Sequence, residues 1–138
     1  MQFAPLELGN AIVTPGFLLP NRWIIHVRGP KYHIDPEPAS NLARAMENVL
    51  RVAEENGIRK IAVPAISMGI YAYPPEEAVP ILVDATFRAL PGLRVLEEIR
   101  FVVLKTKLAT LFQLVIADAE KRFGDLKRAS ALKHWGVE

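Results

Sequence analysis

The residues with the clearest capacity for chemistry run Ile61-Ala62-Val63-Pro64-Ala65-Ile66-Ser67-Met68-Gly69-Ile70-Tyr71-Ala72-Tyr73-Pro74. An apolar run suited to a buried strand leads into a turn of small residues. Pro74-Pro75-Glu76-Glu77 then opens a helix, with proline and acidic residues where a first turn favours them. Such a strand-to-helix turn can aim consecutive backbone N–H groups at one point, and the helix N-terminus adds potential favourable to an anion. Ser67 brings a hydroxyl donor, and Gly69, lacking a Cβ, lets a ligand approach the backbone closely. Tyr71 and Tyr73 can cover a ribose or pack under the turn. The chemistry that fits is recognition of a phosphate or diphosphate. The competing reading is a plain strand-to-helix turn whose tyrosines fill the core.

Other chemistry-bearing residues carry weaker signals. His26 sits mid-strand among apolar neighbours and is expected to be a buried, hydrogen-bonded histidine rather than a catalytic one. His33, Asp35 and Glu37 have the residue types of an acid–base cluster but lie in a proline-rich loop. The three histidines are far apart, none at the i, i+4 spacing of a helical zinc site, and no cysteine is present. No metal, cofactor or disulfide is therefore expected.

The elements that must position the loop follow from periodicity. Ala11–Thr14 reads as a short strand broken by Pro15-Gly16, and Trp23–Val27 as a second strand buried on both faces. Ser40 or Asn41 can cap a helix whose stripe is Leu42, Ala45, Met46, Val49, Leu50 and Ala53, with Gly57 as its stop. The next strand spans Lys60–Ile66, where Pro64 belongs near the end or at a bulge. A helix follows with Ala78, Ile81, Leu82, Ala85 and Ala89 buried. Pro80 predicts a kink or delayed start there, and Pro91-Gly92 ends the helix. Ile99–Leu104 is a further strand. A last helix carries Leu108, Leu111, Phe112, Val115, Ala119 and Phe123, Gly124 ends or bends it, and Leu126–His134 adds a short helix. The order β-β-α-β-α-β-α predicts an α/β fold, a sheet layered with helices. At the carboxyl end of such a sheet ligands bind, which is where the loop stands.

Composition sets the outer limits. The 138 residues are 51% hydrophobic and 23% charged, the balance of one globular domain with a real core. A net charge of +2 makes no nucleic-acid stripe. The basic residues Lys121, Arg122, Lys127, Arg128 and Lys133 alternate with acids as on a solvated helix face, and no nucleic-acid partner is expected. No apolar run reaches the roughly 20 residues of a membrane span, and no leader is read at the N-terminus; a cytoplasmic protein is the expectation. Eleven prolines without cysteine suit a thermophile.

Two stretches in order carry a family resemblance. The first is Gly9-Asn10-Ala11-Ile12-Val13-Thr14-Pro15-Gly16-Phe17-Leu18-Leu19-Pro20, continued by Ile24-Ile25-His26-Val27-Arg28-Gly29-Pro30; the second is the loop from Ile61 to Pro74. Together they resemble the macro domain, an ADP-ribose-recognising α/β module, over most of residues 9–123. The resemblance implies a phosphate and ribose loop at Ser67, Met68, Gly69, Ile70, Tyr71, Ala72 and Tyr73. It implies contacts to the adenosine end from Lys105 and Thr106. Two positions depart from the family pattern: Met68 replaces threonine and Ala72 replaces glycine. If the backbone at 72 needs a positive φ, its methyl costs about 1 kcal/mol.

The resemblance also implies an absence. Macro domains normally open with two strands, an Asn-Ala-Ala-Asn run and a glycine-rich loop, and this chain begins just before the third strand. A shortened domain over 1–138 is expected, matching the family over 9–123, with 124–138 as a helical extension. The sheet is reduced to about four strands, one antiparallel edge hairpin and the remainder parallel. Removing a central strand strands two rows of backbone groups, so direct pairing of its neighbours within a homodimer is the expected repair. The function implied is binding of ADP-ribose or a related nucleotide diphosphate with weak or absent hydrolase activity. Two alternatives stand beside it: a non-catalytic homo-oligomeric assembly module, and a hydrolase completed by a segment from elsewhere.

Overall fold

A single helix organises the molecule, whose structure, a computed structural model, describes residues 5–124 together with the strand Trp135–Val137. This helix, α1, runs Pro38–Glu55 and buries Leu42, Ala45, Met46, Val49, Leu50, Val52 and Ala53. The stripe expected from the sequence is present, widened by Val52. The start differs: helical geometry begins at Pro38, after Glu37 in the left-handed region, and Asn41 donates its side-chain amide to Pro36 O at 2.9 Å instead of capping. Proline suits that first position because its missing N–H would have no helical partner anyway. Gly57, at φ +69, follows the C-terminus as expected.

Two small sheets flank α1. Strands β1 (Ala11–Pro15) and β2 (Trp23–Val27) form an antiparallel hairpin in which Val13 faces Ile25. Strands β3 (Lys60–Val63), β4 (Glu98–Val103) and β5 (Trp135–Val137) form a parallel sheet in that order. The direct pairing of β2 with β3 expected from the sequence does not occur; the two strands belong to separate sheets. Consequently β2 is half-buried rather than covered on both faces. Strand β3 stops at Val63, one residue before Pro64, where the ladder loses its donor.

Helix α2 (Pro75–Ala89) passes through Pro80 without a break and continues as a 3-10 turn over Leu90–Gly92. Pro80 lies in the second turn, close enough to the N-terminus that the lost hydrogen bond leaves the helix intact. Helix α3 (Thr106–Phe123) buries Ala109, Phe112, Ile116 and Ala119, and Gly124 follows it. The main core gathers between these helices and the parallel sheet: Phe101 of β4 stacks on Phe112 of α3 at 4.7 Å, and Phe87 on Phe123 at 5.6 Å. Each such pair contributes about 0.5–1.5 kcal/mol beyond the area it buries. A smaller cluster, Ala11, Val49 and Val52, joins the hairpin to α1. The expected helix over 126–134 lies outside the described residues, and the strand that follows it was not anticipated.

Candidate functional site

The loop that joins β3 to α2 is the candidate site, and its shape comes from which of its amides are already engaged. Ile66 N donates to Pro64 O, Met68 N to Ala65 O, Ala72 N to Gly69 O and Tyr73 N to Ser67 O, at 2.9–3.2 Å. These bonds fold the chain into successive tight turns. The amides of Ser67, Gly69, Ile70 and Tyr71 make no hydrogen bond among the described residues. They are the donors left for a ligand. The Ser67 hydroxyl is also buried, without a hydrogen-bond partner. An unpaired buried hydroxyl costs about 1–3 kcal/mol.

Backbone strain collects in the same place. Ser67 stands at φ 66 and Ala72 at φ 62, in the left-handed region that disfavours a Cβ. The departure at Ala72 therefore carries the cost expected of it. Gly69 is the reverse case. Its φ is not positive and an added Cβ would meet nothing within 4 Å, so neither folding nor packing demands glycine there. The Met68 side chain packs, partly buried, against the main core.

The segment after β2 braces the loop from the other side. A Cβ on Gly29 would stand 2.3 Å from Ser67 Oγ and 2.7 Å from Ile66 Cγ2, so glycine is required for the two segments to meet. Tyr32 N donates to Tyr71 O at 3.0 Å, and the Tyr32 ring lies edge-on to Tyr73 at 4.8 Å. The Lys31 ammonium sits 5.5 Å over the ring of Tyr71, which is at the surface. Tyr73 is buried beneath the turn and Tyr71 and Ile70 face outward, so of the two tyrosines Tyr71 is the one free to cover a ligand. Gly29, Lys31 and Tyr32 were not assigned to the site from the sequence; Gly29-Pro30 was the one signal for the first of them.

Charge tuning is modest. The hydrogen bond from Tyr32 to Glu77, at 3.1 Å, together with that carboxylate's charge, raises the Tyr32 hydroxyl above its ordinary range. Burial does the same to Tyr73, with Glu77 adding to it.

Lys105 and Thr106 stand where β4 passes into α3, with Lys105 immediately before the helix and exposed. Because β3 and β4 are parallel, with Val63 opposite Phe101, these residues lie at the same end of the sheet as the loop. Among the described residues, no hydrogen bond joins them to the loop. His26 is exposed rather than buried, its Nε2 2.9 Å from Thr14 Oγ1 across the hairpin. Position 26 points away from the cluster on α1 because side chains alternate along β2. His33, Asp35 and Glu37 form no catalytic cluster: His33 packs on Tyr32 at 4.9 Å, Asp35 accepts from Lys31 N at 2.8 Å, and Glu37 precedes α1. Among the described residues, no three metal-ligating side chains converge and no helix is long and apolar enough to cross a membrane.

Known proteins share both the sequence and the architecture. A family model described as the macro domain matches residues 1–82. An uncharacterised protein of Fusobacterium nucleatum is 37% identical over 77% of this chain and 66% of its own length. An O-acetyl-ADP-ribose deacetylase of Enterobacter cloacae is 38% identical over 78% of this chain and 61% of its own length. A mutant macrodomain of Oceanobacillus iheyensis, solved with ADPR, superposes with a TM-score of 0.79 at 29% identity, over 84% of this chain and 62% of that one. The chain thus spans about two thirds or less of each relative. With a matching family model across more than half of its residues and the same fold in solved relatives, the chain belongs to the macro domain family.

Proposed function

We propose that the chain binds ADP-ribose or a related nucleotide diphosphate, with its diphosphate on the loop between β3 and α2. The observation that carries this reading is the set of uncommitted amides at Ser67, Gly69, Ile70 and Tyr71 within one turn. A diphosphate supplies the acceptors these four amides need, and the N-terminus of α2 adds to the attraction. Gly69 supports the same reading, since close approach of a ligand explains a glycine that the fold does not require. The Oceanobacillus macrodomain solved with ADPR and the Enterobacter deacetylase place the ligand class within reach of this family.

Hydrolysis is the weaker part of the proposal, and we read it as slow or absent. Residues 64–74 contain no carboxylate and no imidazole, so the loop has no general base of ordinary strength to activate water. Binding needs donors alone. Lys105 and Thr106 remain the proposed contacts for the adenosine end.

Titration calorimetry with ADP-ribose tests the binding, comparing the chain with a Ser67→Ala, Gly69→Val variant. Saturable heat from the chain and none from the variant is the expected pair of results. Equal heats from both would remove the loop from the proposal, and no heat from either would remove the ligand. Incubation with O-acetyl-ADP-ribose, followed by chromatography, reads the hydrolysis; turnover at a rate usual for enzymes would refute the claim of slow chemistry.

A further inference from the structure

The loop between β3 and α2 has amides to offer a diphosphate but no cation of its own. Residues 61–77 contain no lysine, arginine or histidine, and their two charged side chains are Glu76 and Glu77. A dianion seated there meets hydrogen-bond donors inside a segment of net negative charge. Glu77 accepts from the Tyr32 hydroxyl at 3.1 Å, while Glu76 is exposed. An anionic ligand therefore calls for a counter-charge from another segment, and one stands beside the loop.

We propose that Lys31 is this counter-charge and that its ammonium pairs with the diphosphate of the ligand. The inference rests on the reading of the loop given above, and it assigns the residue that makes the site select for charge. The Lys31 ammonium lies 5.5 Å over the ring of Tyr71. Tyr71 also carries one of the four uncommitted amides, so cation and donor meet at a single residue. Among the described residues, that ammonium makes no ion pair with a carboxylate.

The root of the side chain is fixed while its tip is not. Lys31 N donates to Asp35 Oδ2 at 2.8 Å, and Lys31 O accepts from Asp35 N at 2.9 Å and Ile34 N at 3.2 Å. Asp35, the acid on this turn, thus has one carboxylate oxygen on the Lys31 backbone. Tyr32 N donates to Tyr71 O at 3.0 Å, which joins the turn to the loop. A flexible four-carbon stem carries the ammonium beyond that anchor. It can leave the face of an exposed ring for a phosphate oxygen, which makes the stronger, charge-assisted bond. Arg28, three residues earlier, is directed elsewhere, donating to Leu6 O at 3.0 Å. The competing reading is a surface lysine whose stem rests on Tyr71 and whose charge serves no ligand.

Titration calorimetry with ADP-ribose and with inorganic pyrophosphate separates the two. The chain is compared with Lys31→Met and Lys31→Arg variants at about 50 and about 300 mM salt. Lys31→Met keeps apolar bulk over Tyr71 and removes only the charge. Its affinity for both ligands should fall about five-fold at low salt, and the gap should narrow at high salt. Lys31→Arg should stay within about two-fold of the chain. In nuclear magnetic resonance spectra the Lys31 ε-methylene signal should move as pyrophosphate saturates. Equal affinities of the chain and Lys31→Met, a gap indifferent to salt, or an unmoved ε-methylene at saturation would each overturn the role of Lys31 while leaving the loop as the binder. No heat from the chain with either ligand would overturn it together with the reading of the loop.

Discussion

Gly29 faces Ser67 so closely that a methyl group on its Cα would stand 2.3 Å from the serine hydroxyl oxygen. That contact ties the end of β2 to the loop between β3 and α2 and fixes where the hydroxyl sits. Gly29→Ala must displace either segment, at about 1–3 kcal/mol for the crowding. The expected result is a lowered denaturation midpoint with helical circular dichroism retained, and ADP-ribose heat reduced at least as far as in the Ser67→Ala, Gly69→Val variant. A fully retained heat would show that the contact does not position the site.

Ala72 offers the opposite experiment. Its φ of 62 places a methyl where glycine is preferred. Ala72→Gly should stabilise the fold by about 1 kcal/mol, the strain relief being partly offset by the freer unfolded chain. Urea unfolding measures it, and an unchanged or lowered midpoint would contradict the strain.

A carboxylate far from the site holds a loop in place. Glu54, near the end of α1, accepts from the amides of Arg94, Val95 and Leu96, the last two at 2.7 and 2.9 Å. Three backbone donors on one ionised side chain make charge-assisted bonds that a neutral amide cannot replace. Glu54→Gln should destabilise the chain by about 1–3 kcal/mol while leaving ADP-ribose affinity unchanged. Chemical denaturation and calorimetry read the two halves separately.

Alkaline pH probes the tyrosines under the loop. Both Tyr32 and Tyr73 have hydroxyls raised above the usual 10.0, the first chiefly through its hydrogen bond to Glu77 and the second chiefly through burial. In the folded chain they keep their protons where the unfolded chain has begun to lose them. The stability this contributes is complete below pH 10.0 and declines as pH rises through the folded values. Tyrosinate absorbance should show late-titrating groups, and Glu77→Gln should bring the Tyr32 component back toward the usual value. Titration unaltered by that change would refute the role of Glu77.

Sequence patterns carried the elements because their signals are local. The apolar stripe of α1, the stop at Gly57, and Pro64 at the end of β3 each act within a turn or two of chain. The turn between β3 and α2 was legible for the same reason, as a strand, a small-residue turn and a helix start in one continuous run. What was not legible depends on distant contacts. The bracing of Ser67 by Gly29 spans 38 positions in the sequence. The exposure of His26 depends on which face of β2 the hairpin turns outward, which apolar neighbours in sequence do not reveal. Whether β2 and β3 pair is decided by such packing too: α1 takes the hairpin on one part of its surface and α2 on another, and the two strands belong to separate sheets.

That position of α1 restricts how the protein can change over generations. Seven of its eighteen residues are buried. Leu42, Met46, Leu50 and Ala53 answer to one neighbour, and Val49 and Val52 to another. A substitution that improved the fit on one flank would tilt the rod against the other, so tolerated variation should concentrate at outward positions such as Arg44, Glu47 and Arg51. The hairpin tip at Leu18, touching nothing buried, is where lineages are free to diverge.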